Sequence, residues 1–250
     1  MLNEQTHQKL VQMRLYAMAE AFAEYLDAPK NDGLSFTARF ALFVDRQFVE
    51  RKQKRLQRRL KTAKLREQAC LADVDYRHPR GLDREVVEQL ATCNWIRQHQ
   101  NLILTGATGV GKTWLACAVS HRACMEGFSA KYLRVPRLLH DLGIARADGS
   151  YAKTLEKLAR VQLLILDDWG LTTLGAQQRR DILEILEDRY QRRSTILTSQ
   201  LPVKKWHEYI GEPTLADAIL DRVVHSAHRI DLHGPSMRKH MKSNNNPEGT

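Results

Sequence analysis

No stretch of this chain approaches the roughly 20 consecutive apolar residues that a membrane span requires. Met1 to Glu4 do not open a basic-then-apolar secretory signal either. These two absences set the expectation of a cytoplasmic protein without a membrane partner. Cysteine is scarce: Cys70, Cys93, Cys117 and Cys124 form no C-x-x-C pair and no zinc spacing, so they read as free thiols in a reducing compartment. His225, His228 and His233 lie close in sequence but alternate with apolar positions and lack a nearby Cys or Glu, which excludes a convincing metal set. No internal repeat or low-complexity tract is evident.

One further scarcity is local. Between Arg46 and Arg66 there is a single acid, Glu50, against ten Lys or Arg, a local excess of +9 in a protein whose net charge is +10. Solvated helix faces usually mix charge signs, and this run does not. A pI near 9.6 with the cations gathered on one predicted helix, Ser35 to about Ala69, points to a phosphate backbone as partner. The expected DNA contacts are Arg51, Lys52, Lys54, Arg55, Arg58, Arg59, Lys61 and Lys64. Few aromatics interleave with them, which favours backbone contact with a duplex over stacking on single-stranded bases. Ahead of this helix, apolar positions at Leu10, Met13, Ala17 or Met18, Ala21 and Tyr25 predict one amphipathic helix over 4–26.

What is present at the centre of the chain is Gly106-Ala107-Thr108-Gly109-Val110-Gly111-Lys112-Thr113, preceded by the apolar run 101–105 and followed by a helical pattern from Trp114. Strand, glycine loop and helix in this order fit the phosphate-binding pattern G-x-x-x-x-G-K-[ST]. Glycines let successive backbone N–H groups face a phosphate, and the helix N-terminus adds partial positive charge. The expected ligand is a nucleoside triphosphate with Mg²⁺ (ATP by the resemblance given below), held along Gly106, Ala107, Thr108, Gly109, Val110, Gly111, Lys112, Thr113 and Trp114. Lys112 would reach the β- and γ-phosphates and Thr113 the metal.

A second landmark, Val161 to Asp168, is an apolar strand ending in two carboxylates. Asp167 is the expected second metal residue with Thr113, and Asp168 the group that orients or deprotonates the attacking water. A turn or helix cap is the alternative use of such a pair. Further elements read as a linker over 73–81, a helix over 84–91 capped by Asp83, a strand over 129–135, and helices over 136–147, 151–160, 176–190 and 215–225. Strands are expected over 194–198, ending in Ser199-Gln200, and over 228–232.

Taken together, Gly106–Thr113, Leu-Asp-Asp-Trp-Gly at Asp167-Asp168, Leu-Thr-Ser-Gln at 197–200, and Asp-Arg-Val through His-Arg-Ile-Asp-Leu to Ser-Met-Arg-Lys resemble the IstB family. These are AAA+ ATPases encoded beside the transposase of bacterial insertion sequences and related to DnaC-type helicase loaders. The resemblance implies an α/β P-loop AAA+ core, a five-stranded parallel sheet with flanking helices, behind an all-helical N-terminal domain. The boundaries expected are 1–72 for the basic helical domain, 73–242 for the ATPase domain and 243–250 for a disordered tail. It further implies a bacterial protein that forms an ATP-dependent ring or helical homo-oligomer on double-stranded DNA, with little sequence preference. That assembly recruits or stimulates a cognate transposase, and ATP hydrolysis dismantles it. By the same resemblance Arg222 matches an arginine finger, Arg238 a second sensor and Gln200 a first sensor, where Asn or Thr is commoner. Asp168 stands where Glu is usual, one methylene shorter. Helicase loading, or a nucleotide-gated DNA-binding scaffold with little turnover, are the alternative functions.

Overall fold

Three helices open the chain, and their ends are set by backbone geometry that composition does not announce. The computed structural model describes residues 2–27 and 33–237; Arg238 and the 243–250 tail lie outside the described residues. Where periodicity predicts one helix over 4–26, the chain forms two, α1 (Leu2–Gln12) and α2 (Tyr16–Asp27). Arg14, at φ 58°, makes the break. Its N–H donates to the Val11 carbonyl and that of Leu15 to the Leu10 carbonyl, both at 2.9 Å, the paired bonds of a Schellman closure. Glycine normally fills that left-handed position, and an arginine there carries no sequence signal. The third helix, α3 (Phe36–Ala63), begins at the expected cap, with Ser35 Oγ accepting from the Ala38 N–H at 3.2 Å. It stops at Ala63 rather than near Ala69, because Lys64 adopts φ 50°.

The chain divides into two compact units, 1–58 and 59–250, so the division falls within α3, ahead of the 72/73 boundary read from the sequence. In the first unit, Phe22 meets Phe43 edge-on with ring centroids 6.3 Å apart, and Arg46 forms an ion pair with Glu24.

The second unit runs through α4 (Arg84–Ala91), α5 (Asn94–Arg97), β1 (Asn101–Gly106), α6 (Lys112–Met125), β2 (Ala130–Arg134), α7 (Val135–Ala147), α8 (Tyr151–Arg160), β3 (Leu163–Trp169), α9 (Ala176–Arg189), β4 (Ser194–Ser199), α10 (Trp206–Ile210), α11 (Pro213–Val224) and β5 (Ala227–Leu232). Asp83 caps α4 as its sequence position suggests, its Oδ1 accepting from the Glu85 N–H at 2.9 Å. The very short α5 and α10 are too brief to show a helical period in the sequence. The five strands of the described residues are all parallel, in the order β2-β3-β4-β1-β5. Strands of such a sheet are covered on both faces and need continuous apolar runs. Leu102 to Leu104, Leu163 to Ile165, and Ile196 and Leu197 supply them, all fully buried.

One buried cation ties the layers together. Arg189, at the end of α9, donates to the carbonyls of Leu158 at 2.6 Å, Val161 at 2.7 Å and Ser194, and to Thr195 Oγ1 at 3.1 Å. Burial pulls its pKa down to about 9, still protonated near neutrality. All four cysteines are free, and burial pushes the thiols of Cys93 and Cys117 up and that of Cys124 up to about 11. Among the described residues no helix is long and apolar enough to cross a membrane.

Candidate functional site

At the C-terminal ends of the central strands the chain makes a cleft of about 730 Å³, within the range of ligand sites. Its floor is the loop joining β1 to α6. Gly106, Gly109 and Gly111 hold φ of 137°, 89° and 98°. A Cβ at Gly106 would run into the Leu232 carbonyl, so the loop fits against β5 only with glycine there. Lys112 opens α6 and is 9% exposed; its Nζ donates to the carbonyls of Gly106 and Ala107, each at 2.7 Å. Thr108, Gly109, Gly111, Lys112, Thr113 and Trp114 all line the cleft.

Asp167 sits at the tip of β3 and is fully buried. Thr113 Oγ1 donates to it, 3.0 Å from Oδ1 and 3.1 Å from Oδ2, which brings together the two residues expected to hold the metal. Two hard oxygen donors at this spacing, with Thr113 lining the cleft and Asp167 directly behind it, suit Mg²⁺, which takes few protein ligands. The described residues hold no cluster of three or more His, Cys, Asp or Glu able to bind a metal unaided. His228 Nε2 pairs with Gln100 Oε1 at 2.8 Å.

Several residues touch Asp167 in a way that the sequence did not show. Tyr132 of β2 donates its hydroxyl to Asp167 Oδ2 at 2.5 Å, and Thr198 of β4 donates to Oδ1. Burial, and then the Asp167 carboxylate, push the Tyr132 hydroxyl well above its ordinary range, so it stays a donor. Arg66 places Nη1 3.8 Å from Asp167 Oδ2. The last cation of the basic run thus belongs to this cleft, and Glu67 and Gln68 line it too.

Asp168 adopts φ 64°, just where the β3–β4 register shifts between Leu166 and Trp169. Its side chain lines the cleft and accepts from Arg134 Nε at 2.7 Å. Gln200, beyond β4, accepts from Thr108 Oγ1 at 2.8 Å and so spans from the strand tip to the loop. β4 lies between β1 and β3, which is why its end reaches both the glycine loop and the acidic pair.

Arg222 is not in this cleft. It lies on α11 at the opposite, N-terminal end of the strands, where its carbonyl accepts from Asn101 Nδ2 at 3.1 Å. Its guanidinium pairs with Glu187 and faces the Tyr190 ring at 5.8 Å. Arg238 lies outside the described residues; Met237, before it, donates its N–H to the Gly109 carbonyl at 3.0 Å.

A parallel sheet with one strand inserted between the glycine-loop strand and the acidic strand, with this cleft at its end, defines a P-loop ATPase of the AAA+ class. Comparison with known proteins agrees. Residues 8–245 match the family described as IstB-like ATP binding protein, and the chain belongs to that family. It is 53% identical to an insertion sequence ATP-binding protein of Sinorhizobium fredii over 242 residues, 97% of this chain and 99% of the relative. It is 52% identical to the ATP-binding protein of insertion sequence IS1162 from Pseudomonas fluorescens over 203 residues, 81% and 88% of the two chains. The fold resembles crystal structures of DnaI (TM-score 0.56, 23% identity, 66% of this chain and 91% of that one) and of the DnaC helicase loader (0.53, 20%, 66% and 96%).

Proposed function

We propose that this ATPase serves the transposition of a bacterial insertion sequence, assembling with ATP on duplex DNA and presenting that assembly to its transposase. The observation that carries the reading is the joint presence, in one chain of the IstB-like family, of the nucleotide cleft and the exposed cationic helix. Arg51, Lys52, Lys54, Arg55 and Lys61 are exposed on α3, with Arg58 and Arg59 beside them. At about 100° per residue these seven cover roughly half the helix circumference, leaving Leu56, Leu60 and Ala63 on the other half. Such a stripe follows a phosphate backbone without reading bases. Kinship with insertion-sequence ATP-binding proteins supports a transposase as the partner.

Within the cleft, the Gly106–Thr113 loop holds the phosphates, and Lys112 moves from the loop carbonyls to the β- and γ-phosphates. Thr113 and Asp167 hold Mg²⁺, with Tyr132 and Thr198 fixing the Asp167 carboxylate. When bound there, the ion would supply positive charge against the charge developing on the transferred phosphoryl group. Asp168 takes the proton of the attacking water, and Gln200 senses the γ-phosphate. Arg222, remote from its own cleft, serves that of a neighbouring subunit, so nucleotide strengthens the joint between copies. Arg238 completes the phosphate contacts from within the subunit. Copies aligned on DNA gain affinity by multivalency, and hydrolysis loosens the array.

One observation favours the second reading, a scaffold with slow turnover: Asp168 is tied to Arg134. Arg134→Ala releases that carboxylate, and DNA-stimulated phosphate release is expected to rise several-fold. A fall or no change would show that the pair does not restrain hydrolysis. The proposed function itself is tested by sizing the protein with and without ATP and a duplex of several turns. A large complex requiring both supports it, and a monomer indifferent to both rejects it.

A further inference from the structure

The segment between the basic helix and β1, read from the sequence as a linker over 73–81, delivers a guanidinium onto the phosphate loop. Arg80 is 2% exposed, and the little surface it keeps faces the nucleotide cleft. A Cβ added at Gly111 would lie 2.8 Å from Arg80 Nη1, so the guanidinium rests directly against the Cα of the glycine before Lys112. Its backbone is fixed: the Arg80 carbonyl accepts from the His233 N–H at 2.9 Å, and Gly81, at φ 71°, sits where a Cβ would come within 3.2 Å of the Asp231 carbonyl.

A buried cation so placed needs an anion or a full set of acceptors. Among the described residues Arg80 has neither. Nη1 meets the Met237 thioether at 3.1 Å, a weak acceptor, and Nη2 meets the Asp75 carbonyl at 3.4 Å. Nε is buried with no partner. Among the described residues no carboxylate lies within ion-pairing distance of it, in contrast to Arg66 and Arg134 in the same cleft. Burial also pulls its pKa down, with the more distant Asp75 charge only opposing this. A planar fork of donors is suited to two phosphate oxygens at once. The loop N–H groups around Gly111 are those that cradle α- and β-phosphates, whereas Lys112 extends toward β and γ.

We propose that Arg80 is a nucleotide-binding residue that holds the α- and β-phosphates of ATP and ADP alike from outside the glycine loop. This rests on the chain being a nucleotide-binding ATPase and adds a contact that the phosphate-loop motif does not contain. Because Arg80 O and Met237 join it to the end of β5, bound nucleotide of either kind clamps the 75–81 segment and the 231–237 segment onto the loop. Arg80 therefore retains nucleotide through hydrolysis rather than sensing the γ-phosphate.

Calorimetric titration of the full chain tests this, comparing Arg80→Met and Arg80→Lys with the natural sequence, with ADP, ATP and inorganic tripolyphosphate as ligands. Loss of charge-assisted hydrogen bonds predicts a 10- to 100-fold weakening for Arg80→Met, about equal for ADP and ATP and present for tripolyphosphate. Arg80→Lys falls between. The unfolding temperature without nucleotide should be unchanged or raised in Arg80→Met, since an uncompensated charge is removed. Equal ADP affinity in a folded Arg80→Met chain overturns the proposal. So does weakening confined to ATP, or weakening that spares tripolyphosphate, or a lowered nucleotide-free unfolding temperature that accounts for the loss. A natural chain that binds none of the three ligands overturns the nucleotide-binding reading beneath it.

Discussion

Lys112→Ala is expected to lower DNA-stimulated phosphate release by about a hundred- to a thousandfold, the scale for removing one preorganised electrostatic contact from a transition state. The ammonium is nearly buried and already aimed at the loop, bound to the Gly106 and Ala107 carbonyls at 2.7 Å. Exchanging those carbonyls for phosphate oxygens needs only a change of rotamer. Removing it should leave the fold standing, because its partners are loop carbonyls beside an open cleft that water can satisfy. The informative comparison is therefore turnover against thermal unfolding. A large loss of phosphate release and of ATP-induced stabilisation, with an unchanged unfolding temperature without nucleotide, identifies a catalytic contact. Loss of both together would instead mark Lys112 as part of the fold, and full activity would remove it from the mechanism.

The site was legible in sequence where its chemistry is local and illegible where it is assembled across strands. The glycine loop and Asp167 could be read because spacing alone constrains them: three positive-φ positions before Lys112, and an acid at the tip of an apolar strand. Tyr132, Arg134 and Thr198 could not, since each is an ordinary strand residue until the order β2-β3-β4-β1 places it beside the acidic pair. Arg66 was hidden differently. It counts toward the basic run, yet α3 ends at Ala63 and the chain then enters the cleft, which separates Arg66 from the cations of the helix face. That stop, like the break at Arg14, rests on a non-glycine residue at positive φ. His99, at φ 57°, closes α5 in the same way, with the Gln100 N–H donating to the Trp95 carbonyl at 2.9 Å. Helix ends of this kind are fixed by packing on either side, so composition overestimates helix length at Arg14 and Lys64.

Neutralising the cationic stripe by Arg51→Gln, Lys52→Gln, Arg55→Gln, Arg58→Gln and Arg59→Gln tests the other half of the proposal. Glutamine keeps helix propensity close to that of the residues it replaces, so α3 should persist and the change is electrostatic. Each phosphate contact contributes about 0.9 to the slope of log affinity against log salt. Five contacts removed should therefore flatten that slope by about 4 to 5 and weaken duplex binding near 0.1 M salt by about 10³- to 10⁵-fold. The substituted residues lie outside the cleft, so phosphate release without DNA should stay within about twofold of the natural chain's, while its stimulation by DNA disappears. A smaller change in slope would count how many of the five touch phosphates. No change would mean that the +9 excess of 46–66 is solvated, and that whatever binds this ATPase to DNA, if it binds DNA, lies elsewhere in the chain.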